Sequence, residues 1–150
     1  MVKWDIDVAL TQTADGYYDL SITDGDFTKV DNFTTAIQLS LIGSDRRASV
    51  TEEPIPQLRR GWIGNQYQPV EYGSKIWLLT QARLTNETVN RARTYCQQAL
   101  DWLVSYGYAH AVSVTTERDL KYNSLTAKVK IQPFEGITET HTYLLWMNTP

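Results

Sequence analysis

"TNETVNRARTYCQQALDWLVSYG", residues 85–107, decides the fold class. Val89, Ala92, Cys96, Ala99 and Leu103 recur at spacings of three and four, which puts them on one stripe of a helix and leaves charged neighbours on the rest. Thr85 or Asn86 offers a side-chain oxygen to the unbonded N–H groups of the first turn, and Glu87 suits the positive end of the helix dipole. Gly107 tolerates the left-handed conformation that ends helices. An apolar stripe needs a surface to cover, and the next residues provide one. Val112 and Val114 point to one side of a strand; in a second strand, Leu125, Ala127, Val129 and Ile131 alternate with outward Thr126, Lys128 and Lys130. The helix is expected to lie on a sheet.

The last strand, "HTYLLWMN" at 141–148, breaks that alternation. Tyr143 and Leu145 are apolar on one side, Leu144 and Trp146 on the other, so the strand wants cover on both: either it is central in the sheet, or a second chain covers its outer face. Upstream, Trp4–Leu10 alternates, Asp15-Gly16 marks a turn before residues 17–22, and Asp24-Gly25-Asp26 marks another, which predicts an N-terminal β-hairpin. Phe33, Ala36, Ile37 and Leu41 predict a helix over 33–42, with Asp31 or Asn32 as cap and Gly43 at its end. Residues 44–73 lose all periodicity, and a second short helix is expected over 74–81. The fold class is therefore α+β: a small mixed or antiparallel sheet with an N-terminal β-hairpin, two or three helices on one face, and a long irregular loop, in a single domain spanning 1–150.

A chain of 150 residues can remove about 70% of its unfolded surface from water without a covalent staple. Its 42% hydrophobic and 21% charged residues are those of a soluble globular protein, and no run is apolar enough to span a membrane. Acids interrupt the first residues where a secretory signal would be apolar, so no export is expected and the product should stay in the cytoplasm where it is made. The net charge of -3 hides a gradient: residues 1–31 carry seven Asp against two Lys, and residues 45–93 carry eight basic against five acidic side chains. Such asymmetry either orients contact with other charged surfaces or is a solvated mixture.

Chemistry has few candidates. A single cysteine, Cys96, excludes an internal disulfide and falls on the apolar stripe; His110 and His141 make no metal cluster, and the aspartates of "TDGDFTKVDN" (23–32) lack the closing Glu of a calcium loop. Glu52 and Glu53 are adjacent, so an extended chain points them apart, unlike a facing acid and base. No nucleophile elbow or phosphate loop is present. No catalytic residue, metal or cofactor is expected.

"RRGWIGNQYQPVEYGSKIWLL", residues 59–79, has another logic. Its Trp and Tyr side chains offer stiff contact area with polar tips, and arginine offers a planar fork for carboxylates or carbonyls, the mixture found at energetic centres of interfaces. Arg46, Arg47, Arg59 and Arg60 either serve a partner in this way or neutralise the chain's own acidic third and hold the loop in place. Trp77 is read as core.

In order along the chain, "DGDF" (24–27), "TAIQLSLIGSDRRAS" (35–49), "RRGWIGNQY" (59–67), "GSKIWLL" (73–79) and "LTNETVNRARTYCQQALDWL" (84–103) resemble the Mu-type contractile-phage baseplate wedge family, itself similar to the sheath-initiator wedge proteins. The resemblance implies a non-enzymatic virion protein of the tail baseplate, assembled in the host cytoplasm in multiple copies. Its implied partners are other wedge proteins and the tail tube or sheath, with no nucleic acid and no membrane span. The source it implies is a phage, a prophage or a phage-derived particle. By that analogy Arg46, Arg47, Arg59, Arg60, Trp62 and Tyr67 form the docking loop, and Tyr143, Leu144 and Trp146 a strand shared with a neighbour. Two other classes stand beside it: a lysozyme-like peptidoglycan hydrolase of the tail, which needs a carboxylate pair across a groove, and a nucleic-acid-binding module using the arginine pairs.

Overall fold

The turn residues of the first thirty positions break the N-terminal hairpin into short antiparallel pieces. The computed structural model describes residues 7–12, 18–30 and 33–147; the expected Trp4 strand start, the Asp15-Gly16 turn and the Asp31/Asn32 cap lie outside them. β1 (Asp7–Val8) pairs with β6 (Lys29–Val30), β2 (Leu10–Gln12) with β3 (Tyr18–Leu20), and β4 (Ile22–Thr23) with β5 (Asp26–Phe27). Ala9, Ser21 and Thr28 sit where these pieces meet, joined by Ala9 N–H donating to Thr28 O at 2.7 Å and Thr28 N–H to Ser21 O at 2.8 Å. Asp24 and Gly25 both take positive φ, 54° and 82°, as a two-residue hairpin turn demands. The hydroxyl of Thr35 donates to Val8 O at 2.7 Å, tying this arm to the first helix.

That helix, α1 (Thr34–Gln38), widens into a π turn over Leu39–Gly43, within the predicted helical span. Ser40 Oγ donates back to Ala36 O at 2.7 Å, the local competition that bends helices. The predicted helix over 74–81 is instead one 3-10 turn, Ile76–Leu79. Tertiary bonding overrides its periodicity: Ser74 N–H donates to Ser44 O, Arg46 N–H to Ser74 O, and Ser74 Oγ to Leu41 O, so Ser74 is held extended beside Asp45 as a parallel bridge.

α2 (Asn86–Ser105) forms as its sequence demands, with Thr85 Oγ1 accepting Thr88 N–H. It ends with Tyr108 N–H on Leu103 O, Gly107 N–H on Val104 O and Gly107 at φ 75°, a Schellman ending. Its buried stripe covers a three-stranded antiparallel sheet, β7 (Ala109–Asp119), β8 (Ser124–Pro133) and β9 (Glu139–Met147), in that order. Leu125, Ala127, Val129 and Ile131 are fully buried in the middle strand, while Lys128 and Lys130 face out.

β8 is the central strand, and β9 is paired on one side only among the described residues, which corrects the placement of β9 at the centre. Its doubly apolar pattern has a different cause. Trp146 pairs with Leu125 but Leu144 with Thr126, so Leu145 is an extra, bulged residue. The bulge resets the alternation, and Tyr143 and Trp146 both turn into the core while Leu144 stays exposed.

Candidate functional site

The irregular segment 44–73 is held by its own arginines. Arg59 donates from Nε to Glu53 O at 2.7 Å and from Nη2 to Pro54 O at 2.8 Å; Arg47 reaches Arg60 O and Pro56 O at 3.2 and 3.3 Å. Arg46 is half-buried and donates from Nη2 to Glu71 O at 2.6 Å and Gln98 O at 3.2 Å. Its Nε lies 3.9 Å from Glu71 Oε2, too far for a hydrogen bond, so that contact is coulombic only. Burial pulls the Arg46 guanidinium below its ordinary pKa, against the attraction of Glu71 and Asp101. Arg60, at φ 50°, pairs with Asp45 at 3.2 Å and lies over the Trp77 ring at 4.8 Å. Trp77 is partly buried and its Nε1 donates to Arg46 O.

Glu52 anchors the same loop to α2. Its Oε2 accepts from Lys75 Nζ, Ser49 N–H and Ser49 Oγ, each at 2.8 Å, and its Oε1 accepts from Tyr95 OH at 3.1 Å. Burial alone would raise its pKa; the bonds from Lys75, Ser49 and Tyr95 outweigh it and hold the carboxyl at about 2, against an ordinary 4.5. A folded pKa below the unfolded one contributes stability that is present above pH 4.5 and is lost as pH falls through 2. Glu52→Gln should therefore be less stable than wild type by about 1–2 kcal/mol at pH 6, after screening on the open side, with the gap closing toward pH 2 in paired urea titrations. A constant gap across that window would refute this anchoring role.

Beside the arginines the loop builds an aromatic row. Asn65 takes both polar groups of Tyr72, its Nδ2 donating to Tyr72 O and its Oδ1 accepting Tyr72 N–H, each at 2.8 Å. Tyr72 then meets Trp62 at 5.9 Å and Trp102 at 5.5 Å between ring centroids, and Trp102 meets Tyr108 edge-on at 5.8 Å. Trp62 packs directly against Gly64, where a Cβ would overlap the ring. These rings, with Gln68, Val70 and Tyr106, line an open groove of about 400 Å³. Trp62 and Tyr106 are 43% and 47% exposed, so the groove presents stiff apolar area to the outside.

The predicted site residues divide accordingly. Arg47, Arg59 and Arg60 make their hydrogen bonds within the loop, Arg46 bonds both the loop and Gln98 O of α2, Trp62 lines the groove, and Tyr67 is exposed on the 3-10 turn Ile63–Tyr67. Tyr143 and Trp146 are core residues, on account of the bulge, and Leu144 is the exposed one of that group. Sequence reading did not single out Asn65, Trp102, Tyr106 or Tyr108 for the groove; the signal was the spacing of aromatics at 102, 106 and 108 around a helix end.

Cys96 is buried and its thiol is pushed up to about 12 by burial, which leaves no thiolate for attack. Glu52 and Glu53 serve separate bonds, the former to Lys75, Ser49 and Tyr95 and the latter accepting Ile55 N–H at 3.0 Å. Among the described residues, no group of three His, Cys, Asp or Glu is placed to hold a metal ion, and no helix is long and apolar enough to cross a membrane.

Comparison with known proteins covers the segment that builds this site. A protein named baseplate protein gp46, from Escherichia phage Mu, is 36% identical over 115 residues, covering 75% of this chain and 77% of the relative. The Mu-like prophage FluMu protein gp46 of Haemophilus influenzae is 32% identical over 114 residues, with the same coverage of both chains. Residues 33–136, from α1 through the loop and α2 to the turn after β8, match the family described as phage protein GP46, and the chain belongs to that family.

Proposed function

We propose that this chain is a structural, non-enzymatic component of a contractile phage tail baseplate. It acts within one domain spanning 1–150, in several copies, joining wedge proteins to the tail tube or the first sheath ring, where sheath assembly begins. The observation that carries the reading is the likeness to the phage Mu protein named for the baseplate, across the same residues that form the loop and groove. The groove supports it physically: an exposed aromatic surface held on a braced loop has the composition of an interface centre. Assembly takes place in the host cytoplasm, and the finished position is the virion tail.

The test is to mix the purified protein with neighbouring baseplate gene products and follow stoichiometric complexes by size-exclusion chromatography with light scattering. Trp62→Ala and Arg60→Ala should keep the fold, by circular dichroism, and weaken the complex about 10-fold or more. Failure to bind any wedge, tube or sheath protein, together with measurable cell-wall hydrolysis, would overturn the proposal in favour of a tail hydrolase.

A further inference from the structure

The rings of the groove follow one another in the order Trp62, Tyr72, Trp102, Tyr108 and Tyr106, with centroid steps of 5.9, 5.5, 5.8 and 6.4 Å. Every step is tilted, by 59°, 55°, 76° and 52°, so the rings enclose V-shaped furrows instead of laying a flat platform. Among the described residues, no charged side chain lines the groove, and none of its lining residues belongs to a strand. Trp102 Nε1–H is already bonded to Ser40 Oγ. In contrast, Trp62 Nε1–H, the Gln68 side-chain amide and the Tyr106 hydroxyl have no hydrogen-bond partner among the described residues, and all three residues are exposed. The groove therefore combines neutral aromatic furrows with unspent hydrogen-bond donors.

We infer that the groove binds a proline-rich segment of a neighbouring protein in the polyproline II conformation, with prolines seated between the rings and Trp62, Gln68 and Tyr106 donating to its carbonyl oxygens. The inference rests on the reading of this groove as an interface and adds the partner's chemistry. A partner that covers the three donors has to supply acceptors in place of water. An α-helix does not, because its carbonyl oxygens are bonded within the helix. A β-strand is taken up through main-chain bonds to a sheet edge, which the groove lacks among the described residues. A sugar stacks on a flat ring face and brings hydroxyl donors of its own, and no carboxylate lines the groove to accept them. A polyproline II segment meets both conditions: its carbonyl oxygens make no internal hydrogen bonds, and proline brings an apolar ring and no N–H. Such a segment advances about 3.1 Å per residue, so two residues cover about 6.2 Å, the length of one ring-to-ring step.

Titration of the whole chain with decaproline tests this, read by NMR on the tryptophan indole N–H resonances and, in the variants, on the backbone amides. The Trp62 resonance should move saturably, with a dissociation constant of about 10 μM to 1 mM, and a flexible glycine-serine peptide of equal length should leave it in place. Trp62→Ala should weaken binding about 10-fold or more. Tyr106→Phe, which keeps the ring and loses the hydroxyl, should weaken it about 3- to 10-fold, and it carries the test alone should Trp62→Ala fail to fold. No shift with decaproline, binding that both variants leave unchanged, or a shift with an N-acetylglucosamine oligomer in place of decaproline would each overturn the inference. If Trp62→Ala nonetheless weakens baseplate complexes, the interface reading survives and only the proline chemistry falls. Decaproline bound through Trp62 and Tyr106, with baseplate complexes indifferent to Trp62→Ala, would sink the interface reading alone.

Discussion

Trp102→Ala should lower stability by about 3–5 kcal/mol, seen as a lower urea midpoint at unchanged slope. The indole is buried, donates from Nε1 to Ser40 Oγ at 3.0 Å, and packs between Tyr72 and Tyr108, so it joins α2, the π turn and the loop at one point. Truncation leaves a cavity that three separately anchored elements cannot collapse together. Trp102→Phe keeps a ring between Tyr72 and Tyr108 but loses the donor to Ser40, and should cost about 1–2 kcal/mol. Equal costs for the two substitutions would mean that the hydrogen bond, rather than the packing, makes the joint.

Gly73→Ala should cost about 2–4 kcal/mol and loosen the loop. Gly73 sits at φ 96°, and a Cβ there would lie 2.7 Å from Ser44 O and 2.9 Å from Ser44 C. Those atoms have little room to yield, since Ser44 O already accepts Ser74 N–H and the next residue, Asp45, bridges to Ser74. Gly107→Ala is the control: it has φ 75° but nothing within 4 Å, so it should cost only about 1–2 kcal/mol from the left-handed backbone. Measuring both by chemical denaturation separates collision from backbone strain, and equal losses would remove the collision.

The parts of the fold legible in the sequence are those set by neighbours within a few residues. The α2 stripe, its Thr85 cap and its Gly107 ending follow from local spacing, as do the Asp24-Gly25 turn and the inward row from Leu125 to Ile131. What escaped was decided across the chain. The 74–81 periodicity is helical, yet Ser74 is bonded to residues thirty positions away and the helix shrinks to a turn. In β9 a strict period of two assigns Trp146 outward, and one inserted residue reverses it. At the site, composition showed that arginines and aromatics belong together, but the same forks that suit a partner's carbonyls suit the chain's own. Only the fold shows that Arg46 reaches Gln98 and that Asn65 positions Tyr72.

The bulge at Leu145 also affects what can happen at the rim of the sheet. A regular outermost strand offers any passing polypeptide an even row of amide and carbonyl groups, the template for amyloid-like growth. Here the row is thrown out of step between Leu144 and Trp146, and the local twist increases. An incoming segment in ordinary β geometry would lose its pairing at Leu145, the seventh of the nine residues of β9, so the bulge interrupts the rim at its C-terminal end. Among the described residues, runaway edge-to-edge growth is thereby stopped short at the Trp146 end of β9, while Glu139–Leu144 keeps a regular edge.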